Sequence, residues 1–310
     1  MSRIISAIPN ICEGKDGVFI NDLTRKLSLI RGLVVLDVSM DRTRNRTVFA
    51  LTGDKEALFE GGFLMYEEAV QKIDMRRHKG EYPRLGALDV FPFVPLSEVT
   101  IDEAVGMARE FAREVAERFK IPVYLFSEAA QNPLRKDIER IRSVEYEGLA
   151  ERLRDPQWAP DFGAADFKPD FGATIIGARQ PLVSFKVYLS TTDITVAQKM
   201  ANAVQYSTGG LRYVTAHAGN VSDTGRALIA VSISNYKRTP IYQVMEMLKI
   251  EGSRYGVSVQ NAEMIGLIPE SAFIDAARYY LKANDFTLDQ LLERNIQKHL
   301  HQELSLDEKP

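Results

Sequence analysis

Side chains that can move protons or bind charged groups are concentrated in one short segment, HKGEYPRLG, at residues 78–86. Glycine and proline within it shape turns, and an apolar run, LDVFPFVPL, follows directly. Catalytic groups are often carried by loops that a rigid strand holds in place. The segment therefore predicts a polar loop beside a site, although a solvated turn has the same composition. The side chains concerned are His78, Lys79, Glu81, Tyr82 and Arg84.

A second candidate is the segment 155–181, which is dense in Pro, Gly and Asp and carries interleaved aromatic residues. The triplet Asp-Phe-Gly occurs in it twice, at 161–163 and 170–172. Phenylalanines between glycines could clamp a planar ring, while backbone amides near Gly163 and Gly172 bond its heteroatoms. The alternative is a connection between domains whose aromatic side chains only fill the space between them.

Two arginines next to glycine turns, Arg179 and Arg212, are candidates for binding a carboxylate, since arginine makes bidentate, charge-assisted contacts to such groups. Surface ion pairing explains either residue taken singly. No metal site is predicted, because Cys12 is the only cysteine and the histidines lack other ligand residues nearby.

The elements that must position these residues alternate between strand and helix. Capping-box residues Thr100 and Glu103 begin one helix, and Pro92 and Pro95 suggest that the strand at 88–96 lies at a sheet edge. The first half predicts a helix at 17–27, a buried strand at 33–39, a helix at 56–73, the strand at 88–96, a helix at 100–119, a strand at 121–126 and a long charged helix at 132–153.

The second half restarts the alternation after residue 181. It predicts a strand at 182–190, a helix at 195–206, a loop at 207–220, a strand at 227–235, a helix from Pro240, a strand at 257–268 and helices at 269–283 and 288–300. The fold class is α/β (α+β): two successive α/β subdomains, each a mixed sheet with helices on one side. The expected divisions are 1–180, 181–300 and a polar tail at 301–310. Neither GxGxxG nor GxxxxGK[ST] occurs, which argues against a Rossmann or P-loop enzyme.

Bulk composition limits the partners. The 310 residues carry a net charge of −3, so no overall positive field attracts nucleic acid or a membrane surface. No apolar run approaches the roughly 20 residues that span a bilayer, and the N-terminal segment lacks an apolar signal core. With a single cysteine, the sequence indicates a reduced, cytoplasmic protein that acts on small molecules.

Several segments together make the sequence similar to one family. AIPNICEGKD, RNRT, IDMRRHKGEYPRLGALDVFPFVPL, PVYLFSEAA and PDFG…GATIIGAR, in this order, resemble glutamate formiminotransferase over roughly residues 5–285. The resemblance implies transfer of a formimino group from N-formimino-L-glutamate to N5 of tetrahydrofolate as co-substrate, as in histidine degradation and one-carbon metabolism. It also implies a homodimer and a folate cleft between the subdomains. No cyclodeaminase domain follows, so the expected type is the stand-alone bacterial form.

The resemblance also assigns residues. Asn10, in the PNICEG turn, is expected to face the substrate. The family's loop reads Gly-Glu-His-Pro-Arg, and its histidine is the catalytic acid/base; this chain has Tyr82 there. The folate-contacting stretch falls on Gly163, Ala164, Ala165, Asp166, Phe167, Lys168, Pro169, Asp170, Phe171 and Gly172.

The tyrosine changes the chemistry that this loop can perform. An imidazole titrates near pH 6.5 and can both take and give a proton, whereas a phenol titrates near pH 10, so half-ionisation at pH 7 costs roughly 4 kcal/mol. Arg84 or Lys79 could supply part of that, and a neutral phenol can still donate a hydrogen bond. We therefore predict Tyr82 and His78 as catalytic, with Glu81 and Arg84 orienting the loop or the substrate. The alternatives are formyl transfer involving 5-formyltetrahydrofolate and glutamate, or folate binding without catalysis.

Overall fold

The computed structural model describes residues 3–221 and 224–296, and the chain divides into two compact units, Met1–Gln180 and Pro181–Pro310. The predicted polar tail at 301–310 and the end of the last predicted helix lie outside the described residues. The expectation of two successive α/β subdomains is confirmed.

Unit 1 is built on seven strands and five α-helices. In chain order these are β1 (Ile4–Ala7), β2 (Asn10–Ile11), α1 (Gly17–Ser28), β3 (Val34–Asp41), β4 (Arg46–Gly53), α2 (Lys55–Lys72), β5 (Leu88–Ser97), α3 (Ile101–Phe119), β6 (Val123–Ser127), α4 (Ile138–Arg142), α5 (Glu145–Arg152) and β7 (Thr174–Ala178). Short 3₁₀ turns at Pro133–Arg135 and Pro156–Trp158 flank α4 and α5. The predicted capping box at the start of α3 is present.

The sheet of unit 1 combines two patterns of pairing. β1 and β2 together occupy the place between β4 and β5, and β3 pairs with the other edge of β4, all antiparallel. This is the βαββαβ, ferredoxin-like arrangement. β7 and then β6 extend the sheet from β5 by parallel pairing, which makes the sheet mixed, as predicted.

Both faces of this sheet are covered where the parallel strands lie, so the prediction of helices on one side is wrong for unit 1. The main core lies between the sheet and α1, α2 and α3. A second cluster, on other side chains of β5, β6 and β7, packs under α4 and α5 and includes Val90, Tyr124, Ile141 and Leu149. Parallel strands are usually buried on both faces, and the nearly continuous apolar sequence of β5 reflects that.

Strand β5 lies inside the sheet, which corrects the prediction of an edge. Pro92 is tolerated because it stands opposite the interruption between β1 and β2, where its carbonyl accepts a hydrogen bond from the N–H of Ile8 at 3.1 Å. Pro95 pairs with Ile5 next to a register shift. Proline costs least where the hydrogen-bond ladder is already broken.

Three other elements differ from the sequence predictions. β3, predicted as buried, is the edge strand and is largely exposed. The predicted long helix at 132–153 is divided into a 3₁₀ turn, α4 and α5, and Glu145, at the start of α5, has a left-handed φ of 53°. β7 was hidden in the predicted connection 155–181, because a short apolar run beside glycines resembles a loop.

Unit 2 repeats the βαββαβ order. Its elements are β8 (Val183–Leu189), α6 (Ile194–Val204), β9 (Val214–Asn220), β10 (Ala227–Ile233), α7 (Ile241–Ser253), β11 (Val259–Ile265) and α8 (Glu270–Leu281), with 3₁₀ turns at Tyr206–Thr208 and Leu288–Gln290 and a helical segment at 292–296. The strand order is β11-β8-β10-β9 and every pairing is antiparallel, so this sheet is not mixed as predicted. The predicted loop at 207–220 contains β9.

Among the helices of the described residues, none combines the length and the apolar character needed to cross a bilayer.

Gly172 provides a test of how β7 is anchored. Its φ is +85°, it forms a bridge with Gly86, and an added Cβ would lie 2.0 Å from the carbonyl oxygen of Leu85. We expect Gly172→Ala to lower the free energy of unfolding by at least about 1–2 kcal/mol, the cost of a left-handed residue alone. Chemical denaturation measures this.

Gly106→Ala is the matched control, because Gly106 lies exposed in α3 and an added Cβ meets nothing within 4 Å. Helix propensity predicts stabilisation by about 0.5–1 kcal/mol there. Equal effects of the two substitutions would contradict the placement of Gly172.

Candidate functional site

The site is organised by a buried carboxylate, that of Asp89 in β5. Its Oδ1 accepts a hydrogen bond from the N–H of Leu85 at 2.8 Å, and its Oδ2 forms an ion pair with Nη2 of Arg142, at the end of α4. Nη1 of Arg142 donates to the phenol oxygen of Tyr82 at 2.9 Å. Burial alone would lower the pKa of Arg142, but Asp89 raises it on balance, so the guanidinium stays charged.

Two guanidinium groups flank the aromatic ring of Tyr82. Cζ of Arg46 lies 4.0 Å from the ring centroid, and Cζ of Arg142 lies 5.1 Å from it. Arg84, which the sequence suggested as a cation for this phenol, is directed to other groups. Because the phenol oxygen accepts from Arg142, its own proton remains available for donation to a ligand.

Arg84 is buried and has its donors committed within unit 1. It forms a bidentate contact with Glu147, at 2.8 and 2.7 Å, and a further contact of 3.2 Å with Glu145. Its Nε donates to Nδ1 of His78 at 3.3 Å. Burial would lower the pKa of Arg84, but Glu147 raises it on balance. This geometry suits the orienting role predicted for Arg84 within the loop, and it leaves the guanidinium unsuited to binding a substrate.

His78, the first residue of the loop, is buried, with only 8% of its surface exposed. Nε2 faces the carbonyl oxygen of Asn45 at 2.9 Å, while Nδ1 accepts from Arg84. These partners select the neutral tautomer that carries its proton on Nε2. Burial lowers the pKa of the imidazole, and the positive charge of Arg84 lowers it further. Both ring nitrogens are thus occupied by protein groups, a geometry that favours support of the loop over the predicted proton transfer.

Asn45 joins three loops around the site. Its Oδ1 accepts from the N–H of Gly14, its Nδ2 donates to the carbonyl of Lys79, and its own carbonyl faces His78. Gly80 approaches so closely that an added Cβ would lie 2.2 Å from the carbonyl oxygen of Arg44. Asn45 itself is buried with φ of 50°, a conformation that asparagine adopts more readily than most residues.

Asn10 and Glu81, predicted to contact the substrate, have different surroundings. Asn10 pairs with Val48 of β4 and Val90 of β5, and its Oδ1 is buried without a hydrogen-bond partner. The side chain of Glu81 is exposed, and its backbone N–H reaches the carbonyl of Thr43 at 3.4 Å. Asn10 therefore has unused hydrogen-bonding capacity, whereas Glu81 faces solvent.

The predicted folate-contacting segment, 163–172, does not form an aromatic clamp. Phe171 is buried in the main core beside Tyr66, with ring centroids 6.2 Å apart. Residues 163–166 are exposed, and Phe167 packs against Tyr146 of α5 at 5.6 Å. The hydroxyl of Tyr146 also donates to the carbonyl of Pro169. Because Arg84 lies 6.0 Å from the Tyr146 ring, α5 connects this segment to the Tyr82 loop.

Two surface pockets of unit 1 lie outside the Tyr82 loop. The segment 162–168 and the end of α3 line one of about 390 Å³, which includes Arg113 and Lys120. A larger one, of about 630 Å³, lies mainly between α2 and α3 and contains none of the predicted site residues. Pocket size therefore does not identify the site, and the polar geometry around Tyr82 is the better guide.

The two arginines proposed for carboxylate binding lie in different units. Arg179 directly follows β7, so the length of that strand, about 16 Å, separates it from the loop before β5. Burial lowers the pKa of Arg179 to about 10, and no carboxylate within the described ranges forms an ion pair with it. Arg212, in unit 2, is exposed and lies 5.0 Å from the Tyr213 ring. The structure thus does not bring Arg179 next to Tyr82.

Sequence reasoning did not single out Arg46, Arg142 or Asp89 as site residues. Arg46 lay in the RNRT segment, where a structural role and a place at the site were equal alternatives, and Arg142 lay in the predicted charged helix at 132–153. Asp89 was hidden at the start of an apolar strand. Within residues 3–221 and 224–296, no cluster of three or more His, Cys, Asp or Glu side chains could hold a metal ion.

The family models and the similar proteins agree on one family. Residues 4–179 match the family model described as "Formiminotransferase domain, N-terminal subdomain", and residues 185–308 match "Formiminotransferase domain". A glutamate formimidoyltransferase of Streptococcus pyogenes serotype M1 is 38% identical, over 96% of this chain and 99% of that protein. One from Thermoplasma acidophilum is also 38% identical, over 97% and 99%. The formimidoyltransferase-cyclodeaminase of Rattus norvegicus is 36% identical, over 94% and 55%.

The buried ion pair leads to a stability prediction. Asp89→Asn leaves Arg142 buried without a counter-charge, and breaking such a pair costs about 3–5 kcal/mol. We expect the free energy of unfolding to fall by that amount in denaturant titrations. Glu110→Gln, in the exposed pair with Lys55, should change it by less than about 1 kcal/mol. A loss equally small for Asp89→Asn would contradict the proposed organising role.

A pH prediction follows from His78. Its pKa is lowered in the folded protein, so below about pH 6.5 the unfolded chain binds a proton that the folded chain resists. The free energy of unfolding should therefore fall as pH decreases from 7.5 to 5.5, and His78→Gln should remove this share of the loss. His217→Gln, at an exposed position, should retain the wild-type slope. Parallel slopes for all three proteins would refute the assignment to His78.

Proposed function

Because the chain belongs to the formiminotransferase family, we propose that it transfers the formimino group of N-formimino-L-glutamate to N5 of tetrahydrofolate. Two relatives that match over nearly the full length of both chains are named glutamate formimidoyltransferase. The reaction is proposed to take place in the cytoplasm in a homodimer, with tetrahydrofolate as co-substrate.

One observation carries the mechanism: the Tyr82 phenol accepts a hydrogen bond from Arg142 and keeps its own proton free. In the transfer, N5 bonds to the formimino carbon and the bond from that carbon to the glutamate nitrogen breaks. Overall, one proton leaves N5 and one reaches the glutamate nitrogen. We assign Tyr82 as the donor to that departing nitrogen, since a positioned acid assists the breaking of such a bond. The proton that leaves N5 is balanced by reprotonation of the phenolate, which restores the phenol.

Arg142 makes this donation easier by its charge. When the phenol gives up its proton, its oxygen becomes negative while it faces the guanidinium at 2.9 Å. The guanidinium is already oriented by Asp89, so little reorganisation is needed as the charge develops. In this proposal Arg142 is a positioning residue that acts through Tyr82.

His78 and Arg84 have a supporting part in this proposal. The imidazole holds the Asn45 carbonyl, and Arg84 connects the imidazole to α5 through Glu147. Together they fix the backbone on either side of Tyr82. His78, which the sequence suggested as a second proton-transfer group, is thus reassigned to holding the loop.

Folate contact is proposed for residues 163–172, as the family resemblance implies. The exposed backbone of 163–166 offers hydrogen-bond donors and acceptors, and Phe167 is held by Tyr146. Helix α5 carries Tyr146, which contacts this segment, and both glutamates that bind Arg84. The segment and the Tyr82 loop therefore contact the same helix. Arg179 and Arg212 stay candidates for contacts to the anionic substrates, and Glu81 stays a candidate for orienting the loop or the substrate.

The experiment that tests the function is a transfer assay of the purified protein with both substrates. The wild type should form 5-formiminotetrahydrofolate, and Tyr82→Phe should lower kcat by about 100-fold, because it removes the hydroxyl that donates the proton and keeps the aromatic ring. Circular dichroism should show unchanged folding of this variant. The assignment fails if the wild type is inactive and Tyr82→His gains activity.

Tyr82→His provides an independent readout in the pH dependence of kcat. An imidazole at this position would add an ionisation that the phenol lacks near neutrality. We expect a new acidic limb, displaced below about pH 6.5 because Arg46 and Arg142 disfavour the imidazolium. Identical pH profiles of wild type and Tyr82→His would show that residue 82 takes no part in proton transfer.

A further inference from the structure

Two of the buried polar atoms without partners belong to the arginines that contact Tyr82, and a third belongs to Asn10 on the neighbouring strand β2. Within the described part of the chain, such side-chain atoms include Oδ1 of Asn10, Nε of Arg46 and Nε of Arg142. Buried donors and acceptors are nearly always satisfied in native proteins, so each exception calls for an explanation. In Arg142 only Nε lacks a partner, because both terminal nitrogens bond Asp89 and Tyr82, whereas no side-chain hydrogen bond of Arg46 is found in the described residues.

The charges point to Arg46 in particular. Arg142 is balanced by Asp89, and Arg84 faces two glutamates. Arg46 forms no ion pair with any carboxylate in residues 3–221 and 224–296, and its guanidinium lies over the Tyr82 ring. Its cross-strand partner, Asp41, turns instead to Arg44 at 3.6 Å. Arg46 is therefore an uncompensated positive charge beside the phenol.

The strand register places Asn10 next to this charge. Thr47 and Phe49 of β4 and Ile11 of β2 are buried, and Phe49 and Ile11 belong to the core under the helices. Successive side chains of a strand alternate between faces, so Arg46 and Asn10 share the opposite face. Asn10 is paired with Val48, which makes Arg46 its diagonal neighbour, about 7–8 Å away.

We infer that Arg46 and Asn10 form a carboxylate-binding subsite beside Tyr82 that takes the α-carboxylate of the donor amino acid. Arginine is suited to bidentate contact with a carboxylate, and the amide of Asn10 can add a donor after rotation of its end group. The α-carboxylate is chosen because it is attached to the same carbon as the departing nitrogen. A nitrogen that receives its proton from Tyr82 thus brings that carboxylate close to Arg46.

This inference rests on the proposed function, but binding can test it without turnover. Calorimetry would compare L-glutamate with 4-aminobutyrate, which has the amine and the distal carboxylate but no α-carboxylate. Arg46→Met should weaken L-glutamate binding by about 10- to 100-fold, the range expected for charged hydrogen bonds. It should leave the weaker binding of 4-aminobutyrate unchanged within about twofold.

Arg44→Met is the matched control, because Arg44 is an exposed arginine of the same turn, paired at the surface with Asp41. It should bind L-glutamate as the wild type does. Asn10→Leu should also weaken L-glutamate binding, and it decides the question if Arg46→Met does not fold. Wild-type affinity for L-glutamate in a folded Arg46→Met or Asn10→Leu protein would overturn the inference.

The transfer assay separates this inference from the proposed function. If both hold, Arg46→Met raises the KM for N-formimino-L-glutamate by the same factor as the dissociation constant and leaves the KM for tetrahydrofolate within about twofold. If the wild type binds L-glutamate but shows no transfer, and Arg46→Met loses this binding, the subsite is supported and the proposed function is refuted. Active transfer with unchanged donor KM in the variant would refute the subsite alone.

Discussion

The ion pair between Asp89 and Arg142 is the contact on which the site depends. It joins the start of β5, the loop before it and the end of α4, because Asp89 also holds the N–H of Leu85. A buried ion pair is retained more readily when further hydrogen bonds accompany it, and here Arg142 also donates to Tyr82. The ion pair, which is buried at the start of β5, therefore fixes the position of the Tyr82 phenol oxygen through Arg142.

The two units share a topology that the sequence does not reveal as a repeat. Both follow βαββαβ, and in both the first strand lies between the last two strands of this pattern. In unit 1, β1 and β2 together lie between β4 and β5, and in unit 2, β8 lies between β10 and β11. The units differ in the segments that are added to this common pattern. Unit 1 has residues 73–87 between its second helix and fourth strand, with β7 and β6 beyond it, whereas unit 2 connects the same elements with residues 254–258. The residues around Tyr82 belong to the unit with the longer insertion.

Local patterns predicted the elements that depend on local forces. The periodicity of α2 and the capping box of α3 were sufficient to find them, and alternation located β8. The pairing of β5 with β7 is a long-range choice, which is why β5 was taken for an edge strand and β7 was missed. The same limit hid Arg142, which reaches Tyr82 across 60 residues of chain. Family resemblance identified the loop, but not the groups that surround it.

The charges around position 82 suit a phenol better than an imidazole. An imidazole that takes a proton becomes positive, and two guanidinium groups within 4.0 and 5.1 Å of the ring would oppose that change. A phenol that gives a proton becomes negative, and the same two groups then attract it. In the proposed mechanism the tyrosine at position 82 donates its proton first, whereas the histidine that the family resemblance implies there would accept a proton and return it. In that mechanism the two arginines beside the ring favour loss of a proton from residue 82 over gain of one.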